Sequence, residues 1–237
     1  MAIPPSSIAI QNRLLTALPP DVLSRLLPQL HPVSLSVRDT LFPPETAIDA
    51  VHFVETGWVS LVSALDDGAQ AEVGLIGREG MVGLPLIIGV DTAFEEAFVQ
   101  ADGTALCMEA AAFRRAMGEA PEFQRLMFRY YAAMNAQTTQ TAACNGRHDL
   151  EQRLARWLLM AHDRADSDTL QITQEFLAIM LCFYRPSITI AALTLQRAGI
   201  IRYGRGQITV LDRDALEATS CDCYAAVQRR FARLLGS

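Results

Sequence analysis

The spacing of apolar residues changes character twice along the chain. From Asn12 to Leu30 it predicts short helices interrupted at Pro19-Pro20 and Pro28, with Asp21 as a cap and Val22, Leu23, Leu26 and Leu27 at helical spacing. From Leu35 to Glu109 the apolar positions fall into short or alternating runs: Val51–Val54, Trp58–Leu65, Ala71–Ile76, Phe94–Gln100 and Thr104–Met108. Turn formers separate them at Pro43-Pro44, Thr56-Gly57, Asp66-Asp67-Gly68 and Ala101-Asp102-Gly103. Short strands with evenly spaced turns predict a sandwich or small barrel, and Asp67-Gly68 predicts a hairpin.

Near Ala110 the period becomes helical. Phe123, Met127, Tyr130, Met134, Gln137, Thr141 and Cys144 alternate by four and three, a 3.5-residue repeat that suits a helix facing a partner helix. One amphipathic helix lying on its own barrel has the same spacing. Asn145-Gly146 predicts its end, and Asp149 to His162 forms a second helix with Leu150, Leu154, Trp157, Leu158 and Ala161 on one face.

Residues 172–211 read as helix, turn, helix, hairpin. Thr173 is the expected N-cap of the first helix, whose apolar face is Phe176, Leu177, Met180 and Leu181. Cys182 to Arg185 connects it to a helix opened by Pro186 and ended by Gly199. Ile188, Ala191, Ala192, Leu195 and Ala198 share one face of that helix, and Pro186, Ile190, Leu193 and Arg197 the other. Ile200–Tyr203 and Ile208–Leu211 flank Gly204-Arg205-Gly206-Gln207, a hairpin tipped with Arg. A helix of this size fits a DNA major groove, and its N-terminus and the hairpin can meet phosphates.

Charge changes the picture only when divided. The net charge is −6, but residues 1–110 carry 4 Arg against 14 acids and residues 111–237 carry 16 Arg against 12 acids. An acidic module is joined to a basic one, as expected when one end meets an anionic polymer. A hydrophobic content of 51% is that of a globular chain, and no apolar run reaches membrane-spanning length. Met1 to Ile10 lacks the features of a secretion signal, and five cysteines without a framework fit a reducing cytoplasm.

Catalytic and metal chemistry find little support. The strand region offers His52, with His31 just before it, and no convergent acid–base set, so no enzyme, metal site or cofactor is expected, haem on His52 included. An iron–sulfur sensor needs an N-terminal cysteine cluster, and the first cysteine is Cys107. Cys221-Asp222-Cys223 has metal or redox spacing but no second pair, and reads as structural cysteines. Cys144 lies on the heptad seam, where oxidation would cross-link two chains.

Four segments carry a family resemblance: Val54-Glu55-Thr56-Gly57-Trp58-Val59, Gly77-Arg78-Glu79-Gly80-Met81-Val82-Gly83, Thr173-Gln174-Glu175-Phe176-Leu177-Ala178 and Leu195-Gln196-Arg197-Ala198-Gly199-Ile200-Ile201. In their order, from about Asn12 to Tyr224, the chain resembles the Crp/Fnr regulators. The resemblance implies an α+β chain: a cyclic-nucleotide-binding-type jelly-roll barrel (a double-stranded β-helix) over 1–118, a dimerisation helix and hinge over 119–147, and a winged helix-turn-helix over 148–237. It assigns the seam Phe123, Met127, Tyr130, Met134, Gln137 and Thr141 to a homodimer interface.

The sequence also departs from that family. Cyclic-nucleotide-binding members hold the phosphate with a Gly-Glu pair and a later Arg, whereas here Gly83-Leu84 is followed by Glu95-Glu96. No Arg lies between Arg78 and Arg114, so cAMP is not expected, and an unknown effector or none would use a pocket near Gly83, Leu84, Glu95 and Glu96. In the reading helix Cys182 stands where the family commonly carries Gly, and Pro186 and Ile190 replace polar readers. Arg185 is the expected base contact, and Ser187, Thr189, Arg197, Arg202 and Arg205 the expected phosphate contacts. The sequence thus predicts a cytoplasmic, homodimeric regulator of double-stranded DNA, away from membranes, with RNA polymerase as a further partner. The alternative is a ligand-sensing or protein-interaction dimer whose winged helix no longer reads DNA.

Overall fold

The computed structural model describes residues 10–66 and 68–236. The N-terminal stretch considered as a leader, residues 1–9, and Asp67 of the expected hairpin lie outside them. Helices α1 (Arg13–Thr16) and α2 (Pro20–Leu26) open the described chain. Asn12, fully buried, caps α1 by accepting from the amides of Leu14 and Leu15, and its Nδ2 donates to the carbonyls of Val54 and Gly80 at 2.8 Å. The N-cap of α2 is Pro19, so Asp21 lies in the first turn rather than at the cap.

Six strands follow: β1 (His31–Leu35), β2 (Thr40–Phe42), β3 (Ala50–Ala64), β4 (Gln70–Ile76), β5 (Met81–Val82) and β6 (Glu96–Glu109). They pair antiparallel in the order β1-β6-β3-β4, with β2 added to β6 and β5 to β3. Two expected strand breaks are not breaks. Thr56-Gly57 and Ala101-Asp102-Gly103 lie inside β3 and β6, facing one another where the register shifts between Val54 and Val59. Gly57 has φ +71, and a Cβ on Gly103 would run into the Thr56 carbonyl oxygen. The glycines that read as turns therefore bend two continuous strands, which lets one long antiparallel pair serve both halves of the barrel.

Helices α3 (Ala110–Glu119) and α4 (Pro121–Arg147) follow the barrel strands, and α4 passes through Asn145-Gly146 to end at Arg147. The seam is corrected by the structure. Phe123, Met127, Tyr130, Met134 and Gln137 are buried within the chain's own core, not presented to a partner. Tyr130 Oη accepts from the Met81 amide at 3.0 Å and donates to the Met81 carbonyl at 2.9 Å, and Gln137 Nε2 donates to the Leu75 carbonyl at 3.2 Å. Gly80 permits this approach, since a Cβ there would lie 2.8 Å from Tyr130 Cζ. Thr141 is half-buried and accepts from Arg156 Nη2 at 2.9 Å. A 3.5-residue stripe records that an apolar surface must be covered, and here the barrel covers it.

Beyond α4 come α5 (Leu150–His162), β7 (Thr169–Leu170), α6 (Gln174–Leu181), α7 (Arg185–Arg197), β8 (Ile201–Gly204), β9 (Gln207–Val210), α8 (Arg213–Thr219) and α9 (Cys223–Leu235). The periodicity reading placed no element after Leu211. Helix α9 returns to α4: Val227 and Phe231 join the barrel-side core, and Arg230 Nη1 donates to Gln140 Oε1 at 2.9 Å. A second core joins α5–α8 and the small sheet β7-β9-β8, and it takes in Trp58, Val62 and Leu75 from the barrel. No single helix among the described residues is long and apolar enough to cross a membrane.

Candidate nucleic-acid interface

Helices α6 and α7 cross at 107°, within the range of a helix-turn-helix. Thr173 Oγ1 accepts from the Phe176 amide at 3.2 Å and starts α6 as expected. Cys182 ends it at φ 54, a left-handed conformation that usually falls to Gly. Ile188, Ala191, Ala192 and Leu195 seat α7 on the second core. Ala198 and the left-handed Gly199 close it, and Gln196 Oε1 accepts from the Tyr203 amide at 2.7 Å to tie helix to hairpin.

The other face of α7 is open. Tyr184 is 86% exposed, Ile190 65% and Leu193 40%, and Arg185, Pro186 and Arg197 are exposed beside them. No side chain caps the N-terminus of α7. Arg202 is exposed on β8, and Arg205 stands at the hairpin tip with φ 53, followed by Gly206 with φ 76. Two left-handed residues in succession make the tight turn whose twist matches the strands. Among the described residues no carboxylate pairs with Arg185, Arg197, Arg202 or Arg205, so their charge is uncommitted.

Two expected contacts sit less favourably. Thr189 Oγ1 lies 2.8 Å from Gln174 Oε1 and 3.1 Å from the Arg185 carbonyl, so its proton is engaged within the motif and cannot serve a phosphate. Ser187 is half-buried in the first turn of α7.

In the barrel, Gly83 (φ 112) precedes a 3-10 turn over Leu84–Ile88 whose Leu86 and Ile87 enter the core. Glu96 Oε1 accepts from Thr40 Oγ1 at 2.8 Å, and burial pushes the Glu95 carboxyl above its ordinary range. None of five cavities found among the described residues is lined by Gly83, Leu84, Glu95 or Glu96. A cavity of about 540 Å³ lies instead between the barrel, α5 and α9, with Arg78, Glu79, Arg164 and Arg213 on its walls. His52 is a partly buried strand residue whose Nδ1 has no hydrogen-bond partner among the described residues, and burial lowers its pKa.

The reading domain is docked on the barrel through a buried polar cluster. Glu72 on β4 accepts from Ser60 Oγ at 2.5 Å and from Trp157 Nε1 on α5 at 2.7 Å. Burial raises its pKa from 4.5 to about 7, against the pull of those two hydrogen bonds and of Arg164 and Arg156. Nearby, Arg164 Nη2 pairs with Glu79 Oε1 at 2.5 Å, and Arg78 pairs with Asp166.

Comparison with known proteins agrees with this geometry. Residues 32–120 match the cyclic nucleotide-binding domain family, and residues 152–219 match the Crp-like helix-turn-helix domain family. No curated protein sequence matches the chain. Among solved structures, FixK2 from Bradyrhizobium japonicum is 18% identical with a TM-score of 0.70, covering 81% of this chain and 98% of its own. A CRP-family transcriptional regulator from Thermus thermophilus is 20% identical with a TM-score of 0.68, covering 79% and 96%. The c-di-GMP responsive global regulator CLP from Xanthomonas campestris is 18% identical with a TM-score of 0.64, covering 80% and 98%. With a barrel of the first family, a helix-turn-helix of the second and a shared fold over most of its length, the chain belongs to the Crp/Fnr family of DNA-binding transcription regulators.

Proposed function

We propose that this regulator works in the cytoplasm as a homodimer, reads a specific double-stranded DNA site through α7, and does not answer to cAMP. The carrying observation is the uncommitted face of α7, where Arg185, Ile190, Leu193 and Arg197 are exposed within one helix-turn-helix. Arg185 at the helix start donates to a base edge, Ile190 and Leu193 meet thymine methyls, and Arg197, Arg202, Arg205 and the Ser187 turn hold phosphates. RNA polymerase is the further partner that a promoter-bound regulator meets.

Dimerisation is assigned to a different stripe of α4 from the one the heptad pattern picked out. Arg125, Phe128, Ala132, Asn135, Thr139 and Ala142 are exposed and alternate by three and four, with Phe128 47% exposed. Small residues along this stripe allow close helix approach, and Phe128 supplies its apolar anchor. The two reading helices would then face successive major grooves. Cytoplasmic residence is supported by the DNA target and by five free thiols.

Against cAMP stand the two carboxylates Glu95 and Glu96 where an anion would need a cation. Adding cAMP should leave both thermal midpoint and DNA affinity unchanged; a rise in either overturns that part. The DNA reading is tested by titrating labelled genomic fragments, including the region upstream of the protein's own gene, at low and moderate salt. Tight binding that weakens steeply with salt is expected, because Arg–phosphate contacts release counterions. A dimer that binds no fragment at low salt would favour the second reading, a protein partner on the apolar surface of Tyr184, Ile190 and Leu193.

A further inference from the structure

Three cysteines and a histidine that are far apart in sequence converge where α4, α5 and α9 meet. Cys144 sits on the last turns of α4, His148 in the joint to α5, and Cys221 and Cys223 at the joint between α8 and α9. Their four donor atoms all lie within 4.8 Å of one another. Cys144 Sγ is 3.5 Å from Cys221 Sγ, and Cys223 Sγ is 3.5 Å from His148 Nδ1. The three thiols are buried and the imidazole is half-buried.

The Cys144–Cys221 and Cys223–His148 separations are close to two edges of one coordination tetrahedron. With Zn–S of about 2.3 Å and Zn–N of about 2.0–2.1 Å, tetrahedral angles place two sulfurs about 3.8 Å apart and a sulfur and nitrogen about 3.5 Å apart. The surroundings fit as well. Asp222 Oδ1 lies 3.7 Å from His148 Nε2, so the ring nitrogen turned away from the cysteines faces a carboxylate that would orient it. Gln140 Nε2 donates to Cys223 Sγ at 3.1 Å, and the positive charge of Arg156 acts on Cys144. That charge offsets the net negative charge of three thiolates around a divalent cation.

We propose that Cys144, His148, Cys221 and Cys223 bind one tetrahedral zinc ion, which pins the end of the long helix α4 to the base of the C-terminal helix α9. Soft thiolates with one imidazole select zinc over magnesium or calcium. A cluster of several irons needs its cysteine sulfurs spread further apart than these. On binding, the three thiol protons leave to solvent and His148 coordinates as the neutral ring through Nδ1. A Cys144–Cys221 disulfide is the competing chemistry, and it would leave Cys223 and His148 with no shared role. This inference is independent of how α7 reads DNA.

The experiment uses the full chain, free of added histidine tags, purified under reducing conditions from zinc-supplemented cells. Elemental mass spectrometry should find about one zinc per chain, since the set supplies one complete coordination sphere. Exchange with Co(II) should give the thiolate charge-transfer band and the visible bands of tetrahedral cobalt. Zinc should shield Cys144, Cys221 and Cys223 from a thiol reagent while Cys182 reacts. Cys223→Ser and His148→Ala should each lose the ion on dialysis against a chelator; His148→Ala, at the edge of the cluster, covers the case in which the serine variant fails to fold. Protein without zinc and without a tetrahedral cobalt spectrum, iron with labile sulfide, or a Cys144–Cys221 disulfide in anaerobically purified protein would each overturn the proposal.

Discussion

Individual residues in the reading motif divide by what their side chains have left to offer. Among the described residues Arg185 has no ion-pair partner, and it stands at the uncapped start of α7, so it can reach a base edge. Arg185→Ala should weaken specific binding by about 1–3 kcal/mol and relax preference at one base pair, whereas Arg205→Ala should weaken all sequences alike and lower the salt slope by about one. Competition titrations with single-base variants of the best fragment separate the two. Cys182 is a different case, a non-glycine residue at φ 54 in the turn of the motif. The left-handed conformation costs roughly 1–2 kcal/mol, and a glycine returns about 0.4–1 kcal/mol of that as unfolded-state entropy. Cys182→Gly should therefore stabilise the protein by about 0.5–1 kcal/mol, read as a raised denaturant midpoint with unchanged slope.

At the scale of elements, α4 is the instructive helix because it carries two apolar-compatible stripes. One holds Met127, Tyr130 and Met134 against the barrel, and the other leaves Phe128 and Ala132 in solvent. Light scattering and thermal melts distinguish their roles. Phe128→Glu should yield a folded monomer with weakened DNA binding, while Met134→Glu, which buries a charge without a partner, should cost about 3 kcal/mol or more of stability. A dimer that survives Phe128→Glu would remove that stripe from the interface. The bends in β3 and β6 teach a related lesson. Thr56-Gly57 and Asp102-Gly103 are turn-like as local sequence, and become bends only because each lies opposite the other across a pair of strands.

For the whole molecule, the docking of the reading domain on the barrel turns on Glu72, a carboxyl buried between β4 and α5. Its pKa is about 7 in the folded protein against 4.5 for the free group. The folded state therefore holds the proton that the unfolded state releases. The stability from this group is fully present below about pH 4.5 and is lost as the pH rises through about 7. The loss is on the order of 3 kcal/mol across that window. Glu72→Gln keeps the size and an acceptor for Trp157 Nε1, and should flatten the slope of stability against pH between 5 and 8. Urea titrations of the two proteins across that range give the comparison; parallel curves would assign the slope to other groups.

Much of this protein was written in local pattern. The cap at Thr173, the helix from Asp149, the turn at Arg205-Gly206, the inward face of α7 and the divided charge all follow from the chemistry of neighbouring residues, which is why element types and the reading motif were legible. The seam was misassigned because a 3.5-residue period specifies that a stripe is buried, not what buries it. The four-residue step from Cys144 to His148 was the missed signal for the cysteine–histidine cluster, since Cys221-Asp222-Cys223 alone is a weak pair. Only tertiary structure brings Cys144 to Cys221 across 77 residues, and joins Glu72 to Trp157 across 85. Periodicity and capping act within a few residues of chain, whereas convergence of side chains depends on how whole elements pack, and the sum of many weak contacts decides that.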